Sequence, residues 1–103
     1  REAGRHWRRY LDRTGDLLRL EPERAEWMQE RSYAFNNLGT LAQTEGRSDE
    51  AVVYFRGSAA LKRRALAQRP DDADLRYELI DTLSWIDSAR QSQGELRLAA
   101  RGY

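Results

Sequence analysis

Cysteine is absent from the 103-residue chain, and histidine is represented only by His6. Without cysteine the chain can form no disulfide framework, no thiolate zinc site and no thiol nucleophile. One imidazole cannot assemble an ordinary zinc site by itself. The sequence therefore predicts no metal site and no bound cofactor.

Long apolar runs and an excess of one charge are also missing. The apolar stretches are only a few residues long, far below the roughly 20 that cross a bilayer, so we expect no membrane span in this segment. Eighteen basic and 17 acidic residues leave a net charge of +1. Glu2, Asp12 and Asp16 interrupt the basic cluster of the first helix and the second cluster is short, so we expect no nucleic-acid binding. These clusters are Arg1, Arg5, Arg8, Arg9 and Arg13, and Lys62, Arg63 and Arg64.

Sequence signatures of catalysis are lacking as well. The chain has no phosphate-binding glycine loop and no serine in a nucleophile elbow. The acid pair Asp71-Asp72 falls at the start of a predicted helix, where capping explains it. We therefore expect a protein that is not an enzyme.

What the chain does contain is a repeat. Net charge alternates along it, at +3 in residues 1–20, −3 in 21–46, +3 in 48–70 and −5 in 71–95. A shift of 48 residues places Pro22 on Pro70 and Gly46 on Gly94, and it aligns Trp7, Phe55 and Tyr103 as one aromatic position. This pattern indicates a repeated pair of elements of opposite surface charge.

Within each copy the apolar residues recur at helical steps of three and four. The two prolines stop helices, which predicts helices over 1–20, 23–45, 48–68 and 71–93, with a fifth from Glu95 to Tyr103. We expect Gly46 and Gly94 to end helices, and Ser48 and Asp71 to cap helix N-termini. Short connections make neighbouring helices antiparallel. The expected fold is all-α, a stack of antiparallel helical hairpins with about five helices.

The residues Phe35, Leu38 and Gly39, then Ala51 and Phe55, then Pro70 resemble the tetratricopeptide repeat pattern. The second copy has Asp87 at the glycine position, and the period of 48 exceeds the family's period of about 34. About seven extra residues per helix are close to two turns, which leaves the buried face in register. The resemblance implies an extended variant of an α-solenoid.

The resemblance implies that residues 1–103 form a single repeat segment with three parts. Residues 1–21 form the second helix of a partial repeat, 22–69 a full repeat and 70–103 a truncated one. Neither end has a polar capping helix, so we expect a slice of a longer array or self-association through the uncapped ends. Arginine outnumbers lysine by 17 to 1, which favours a GC-rich, bacterial genome. The sequence does not determine the compartment, although the cytoplasm is slightly favoured.

The resemblance also implies a concave groove lined by the first helix of each repeat. The candidate partner-binding residues are Tyr33, Asn36, Asn37, Thr40 and Gln43 on one helix and Asp81, Ser84, Trp85 and Ser88 on the other. Three alternatives stay open: a solvated face for the asparagines, burial against the preceding hairpin for Trp85, which we favour, and pairing of the groove acids with neighbouring arginines, which we also favour.

The expected function is a protein-protein interaction scaffold that binds a peptide or partner helix in an acidic groove. Acidic first helices favour a cationic partner over a carboxylate-bearing one. The alternative is a structural or oligomerisation segment of a larger regulatory or signalling protein.

Overall fold

The computed structural model describes residues 2–100, so the expectations for Arg1 and Tyr103 lie outside the described residues. Over this range the chain forms four α-helices and no strand. They are α1 (Glu2–Leu20), α2 (Ala25–Thr44), α3 (Ser48–Gln68) and α4 (Ala73–Ala100). The all-α prediction is confirmed, but the predicted number of helices is wrong, since the described residues hold four instead of about five.

The error in number arises at Gly94. This glycine lies inside α4, and Gly46 is the one glycine with a positive φ, 79°, among the described residues. A helical glycine costs only about 1 kcal/mol relative to alanine, and no proline follows it. Glu95, Leu96 and Arg97 are good helix formers, so α4 continues where the 48-residue analogy predicts a stop.

The end of α2 at Gly46 is confirmed in detail. The N–H of Gly46 donates to the carbonyl oxygen of Gln43 (3.1 Å) and that of Arg47 to Ala42 (2.8 Å). These are the two hydrogen bonds of a Schellman motif, which needs a residue in the left-handed conformation. The chain thereby turns sharply from α2 into α3.

The two helix N-caps are each displaced by one residue from the prediction. Arg47 precedes α3 without a side-chain cap, and Ser48 is a buried first residue of the helix. At α4 the carboxylate of Asp72, and not Asp71, accepts the N–H of Leu75 at 3.0 Å. Asp71 is exposed in the preceding turn.

The two proline turns are equivalent under the 48-residue shift. The N–H of Arg24 donates to Glu21 at 3.1 Å, and that of Asp72 donates to Arg69 at 3.0 Å. The next bond of the pattern is also repeated, from Met28 to Arg24 and from Arg76 to Asp72. The internal repeat is therefore visible in the backbone hydrogen bonds of the turns.

Each helix packs on its neighbour in sequence, α1 on α2, α2 on α3 and α3 on α4. α3 is central to two buried clusters. The first joins α2, α3 and α4 through Ala42, Ala51, Val52, Phe55, Ala59, Ile86 and Ala89. The second joins the same helices near their other ends through Ala25, Met28, Leu61, Ala65 and Leu75. These pairings place neighbouring helices antiparallel.

Two glycines set the approach of α2 to α3. A Cβ at Gly39 would lie 2.6 Å from the ring of Phe55, and one at Gly57 would lie 3.1 Å from the ring of Phe35. Each helix thus supplies an aromatic ring and a glycine that receives the ring of the other. The reciprocal arrangement places Phe35 and Phe55 in the same interface.

Candidate functional site between α2 and α4

A cavity of about 290 Å³ lies between α2 and α4, with α3 beneath it. We name it the α2–α4 pocket. Its lining residues are Tyr33, Asn36, Asn37 and Thr40 of α2, Lys62 of α3, and Glu78, Asp81 and Trp85 of α4. This volume is at the lower limit of small-molecule sites, about 300 Å³, so the pocket suits one side chain better than a whole cofactor.

Helical spacing explains how the walls form. Residues 33, 36, 37 and 40 recur at three- and four-residue steps and therefore share one face of α2, and residues 78, 81 and 85 share one face of α4. Both helices pack on α3 through other faces. The two polar faces consequently border the same cavity.

The structure brings together six of the nine candidate residues. Gln43 and Ser88 lie outside the pocket lining, where the Gln43 amide donates to the Ser88 hydroxyl at 3.4 Å and connects α2 to α4. Ser84 is exposed and does not line the pocket.

The floor contains Lys62, which the sequence shows only as part of the basic cluster with Arg63 and Arg64. The whole side chain is buried, at 1% exposure. Its ammonium donates to the Thr82 hydroxyl at 2.7 Å, and Thr82 in turn donates to the carbonyl oxygen of Glu78 at 3.0 Å. Burial lowers the pKa of Lys62, and the carboxylates of Glu78 and Asp81 oppose that shift.

Asn36 lines the pocket and has an unpartnered acceptor. The residue is half-buried, and its side-chain carbonyl oxygen is excluded from solvent without a hydrogen bond. A buried polar atom left without a partner costs about 1–3 kcal/mol. Asn37 differs, because it is exposed and its amide donates to the backbone carbonyl of Tyr33 at 2.8 Å. The solvated-face alternative therefore describes Asn37 but not Asn36.

The carboxylates of the pocket have no ion pair within the described residues. Neither the Glu78 nor the Asp81 carboxylate lies in a salt bridge or accepts a hydrogen bond there, although the backbone carbonyl of Glu78 accepts one from Thr82. The acids at the start of α2 behave differently, since Glu21 and Glu26 both pair with Arg24. These pairs join residues two or three positions apart and not neighbouring helices, and the carboxylates of the pocket have no arginine partner within the described residues.

Two aromatic side chains stand at the rim. Trp85 is 40% exposed and Tyr33 is 41% exposed, so the favoured expectation that Trp85 is buried is wrong. The Trp85 ring lies 5.7 Å from the Phe55 ring, centroid to centroid, which leaves part of its surface free. Partial burial raises the pKa of Tyr33, and nearby Glu78 raises it further.

Lys62, Glu78 and Thr82 belong to the site or its floor but are absent from the candidate residues predicted from the sequence. Glu78 could have been found, because it precedes Asp81 by three and Trp85 by seven residues on one helix face. Lys62 could have been noticed as the single lysine of the chain, on an otherwise apolar stripe. Thr82 gives no comparable sequence signal, since its role depends on the position of Lys62 in a different helix.

Residues 2–100 contain no cluster of His, Cys, Asp and Glu side chains able to hold a metal ion. No helix in this range combines the length and the apolar character needed for a membrane span. Comparison with known proteins gives no family model, curated protein or solved structure that matches the chain.

Proposed function

We propose that the chain is a protein-protein interaction scaffold of extended tetratricopeptide type, which binds a cationic peptide or partner helix along the groove between α2 and α4. The observation that carries the proposal is the pair of unpaired carboxylates, Glu78 and Asp81, in a pocket that also has two exposed aromatic rings. With Lys62 counted, the pocket has a net charge of −1. Such a surface favours cationic partners and accelerates their association.

The repeat supports the geometry of the proposal. Lengthened hairpins need equivalent turns and close contacts between helices in order to pack side by side. The chain has both, in its two proline turns and in the reciprocal Gly39–Phe55 and Gly57–Phe35 contacts. Tyr33 and Trp85 provide large contact area at low entropy cost, which is typical of binding hot spots.

The proposal is tested with two fluorescent peptides of equal length, one with three arginines and one with three glutamates. We expect the cationic peptide to bind the full chain, and more weakly as salt is raised. The double variant Glu78→Gln/Asp81→Asn should weaken binding about tenfold. The matched control Asp71→Asn/Glu95→Gln makes the same change of charge at exposed positions outside the pocket. Equal loss in both variants, or tighter binding of the acidic peptide, contradicts the proposal.

A second candidate is a structural or oligomerisation segment, and one observation favours it. Trp7 of α1 is the equivalent of Phe55 under the 48-residue shift, and it is half-buried, in edge contact with the rings of His6 and Tyr10. On α3 the equivalent face, which contains Phe55, packs on α2. Analytical ultracentrifugation separates the candidates: a concentration-dependent dimer that Trp7→Ala abolishes supports assembly, and a monomer at all concentrations excludes it.

A further inference from the structure

Three acceptor groups of the α2–α4 pocket have no hydrogen-bond partner within the described residues, and two of them are negatively charged. The acceptors are the Asn36 carbonyl oxygen and the carboxylates of Glu78 and Asp81. The only charged donor lining the pocket is Lys62, and one of its three N–H groups is already bonded to Thr82. An occupant that only donates hydrogen bonds and has a positive charge complements this lining.

We propose that the α2–α4 pocket is a subsite for the side chain of one arginine of the bound partner. This inference rests on the proposed function and specifies which residue the groove recognises. A guanidinium is planar, presents five N–H donors and stacks on aromatic faces, whereas an ammonium is a compact charge without a stacking surface. The exposed rings of Tyr33 and Trp85 line the pocket, so they offer aromatic surface on which a guanidinium can stack.

The buried Asn36 oxygen distinguishes this site from a merely acidic surface. A carboxylate on an open helix attracts any cation, whereas the Asn36 oxygen lies beneath the solvent-accessible surface and gains a partner only if its side chain turns toward a donor in the pocket. The arginine side chain is long enough to place its apolar stem between the rings while its head enters. The Asn36 oxygen should then gain the hydrogen bond that it lacks.

Lys62 moderates the affinity of the site. Its ammonium partly neutralises Glu78 and Asp81, as the opposing influence of both carboxylates on Lys62 indicates. Replacing Lys62 with methionine keeps a long unbranched side chain and removes the charge. The pocket would then have a net charge of −2, and arginine should bind more tightly.

The test uses the acetylated and amidated peptide Ala-Ala-Arg-Ala-Ala and its counterparts with citrulline or lysine at the centre. Binding to the full-length chain is followed by amide NMR shifts of the groove residues. Citrulline has nearly the shape of arginine without its charge. We expect the arginine peptide to bind at least tenfold more tightly than the citrulline peptide and about threefold more tightly than the lysine peptide.

Two variants examine the interior of the pocket. Asn36→Ala should weaken the arginine peptide about threefold or more and leave the citrulline peptide nearly unchanged. Lys62→Met should strengthen the arginine peptide about threefold to tenfold, with circular dichroism confirming that both variants retain the helical fold. Weaker arginine binding in a folded Lys62→Met variant would show that the charge of Lys62 does not oppose the occupant, and would overturn the inference.

The outcomes separate the inference from the function on which it rests. If the arginine and citrulline peptides shift the same groove residues with equal affinity, the arginine subsite is wrong but the peptide-binding groove remains. If none of these peptides, nor the longer cationic one, shifts the groove residues, both proposals fail.

Discussion

α2 and α4 are equivalent helices 48 residues apart, but only α2 is packed on two sides. α2 contacts both α1 and α3, whereas α4 packs on α3 within the described residues. Met28, Gly39 and Ala42 of α2 are buried, and their equivalents on α4, Arg76, Asp87 and Arg90, are exposed. The two helices share the face that packs on the preceding helix, α1 for α2 and α3 for α4. They differ in the opposite face, with which α2 packs on α3.

This difference shows how one helical pattern serves an inner and an outer position. A helix between two neighbours needs small or apolar residues on two faces, and α2 has them. A helix with one neighbour keeps charge on its other face and stays hydrated there. Asp87 of α4 occupies the position equivalent to Gly39 of α2, the glycine that receives the Phe55 ring.

The largest expected effect concerns the aromatic position shared by the two copies. Phe55→Ala should lower the free energy of unfolding by about 3–5 kcal/mol, since the ring is 1% exposed and its loss leaves a cavity. Trp7→Ala, at the equivalent half-buried position of α1, should cost clearly less. Urea denaturation followed by circular dichroism measures both. Equal losses would show that α1 is as well packed as α3.

The glycine that receives Phe55 should tolerate no side chain. Gly39→Val should destabilise the fold by about 3 kcal/mol, because a Cβ there would lie 2.6 Å from the ring. Asp87→Val is the matched control at the equivalent exposed position of α4, with an expected change within about 0.5 kcal/mol. A large loss at Asp87 would refute the distinction between an inner and an outer helix.

Gly46 and Gly94, aligned by the repeat, should respond to alanine with opposite signs. Gly46→Ala should destabilise by about 1–2 kcal/mol because φ is +79° there. Gly94→Ala should stabilise by about 1 kcal/mol, since Gly94 is helical and an added Cβ meets no atom within 4 Å. Thermal unfolding of the two variants measures the signs. Destabilisation by Gly94→Ala would indicate a break in α4.

The smallest effect is a pH dependence in the first hairpin. The hydrogen bond from the Tyr10 hydroxyl to the Glu30 carboxylate, 2.5 Å long, raises the pKa of Tyr10 to about 12. Between the ordinary tyrosine pKa of about 10 and 12, the folded chain retains a proton that the unfolded chain releases. Stability should therefore fall as pH rises through this interval. Ultraviolet titration should show a tyrosine that titrates near pH 12; Tyr10→Phe should remove this step and Glu30→Gln should shift it to lower pH, while the raised pKa of Tyr33 should remain in both variants.

The sequence was informative wherever the signal was local. Pro22, Pro70 and Gly46 mark turns whose geometry depends on their own backbones, so the helix boundaries near them were predicted to within a few residues. The prediction at Gly94 was wrong because a glycine ends a helix only when the residues after it turn away from the helix axis. The groove faces of α2 and α4 followed from helical spacing, and six of nine candidate residues line the pocket.

The amino-acid sequence by itself determined the helical class, the 48-residue repeat and the sides of α2 and α4 that are polar, because helical periodicity and turn chemistry act over a few residues. Only the tertiary structure decided which of those polar groups remain without partners. Burial of Lys62, its bond to Thr82, the exposed Trp85 and the isolated Asn36 oxygen each depend on residues that are distant in the chain. Such pairings arise when three helices pack, since a hydrogen bond or its absence is a property of the distance between atoms.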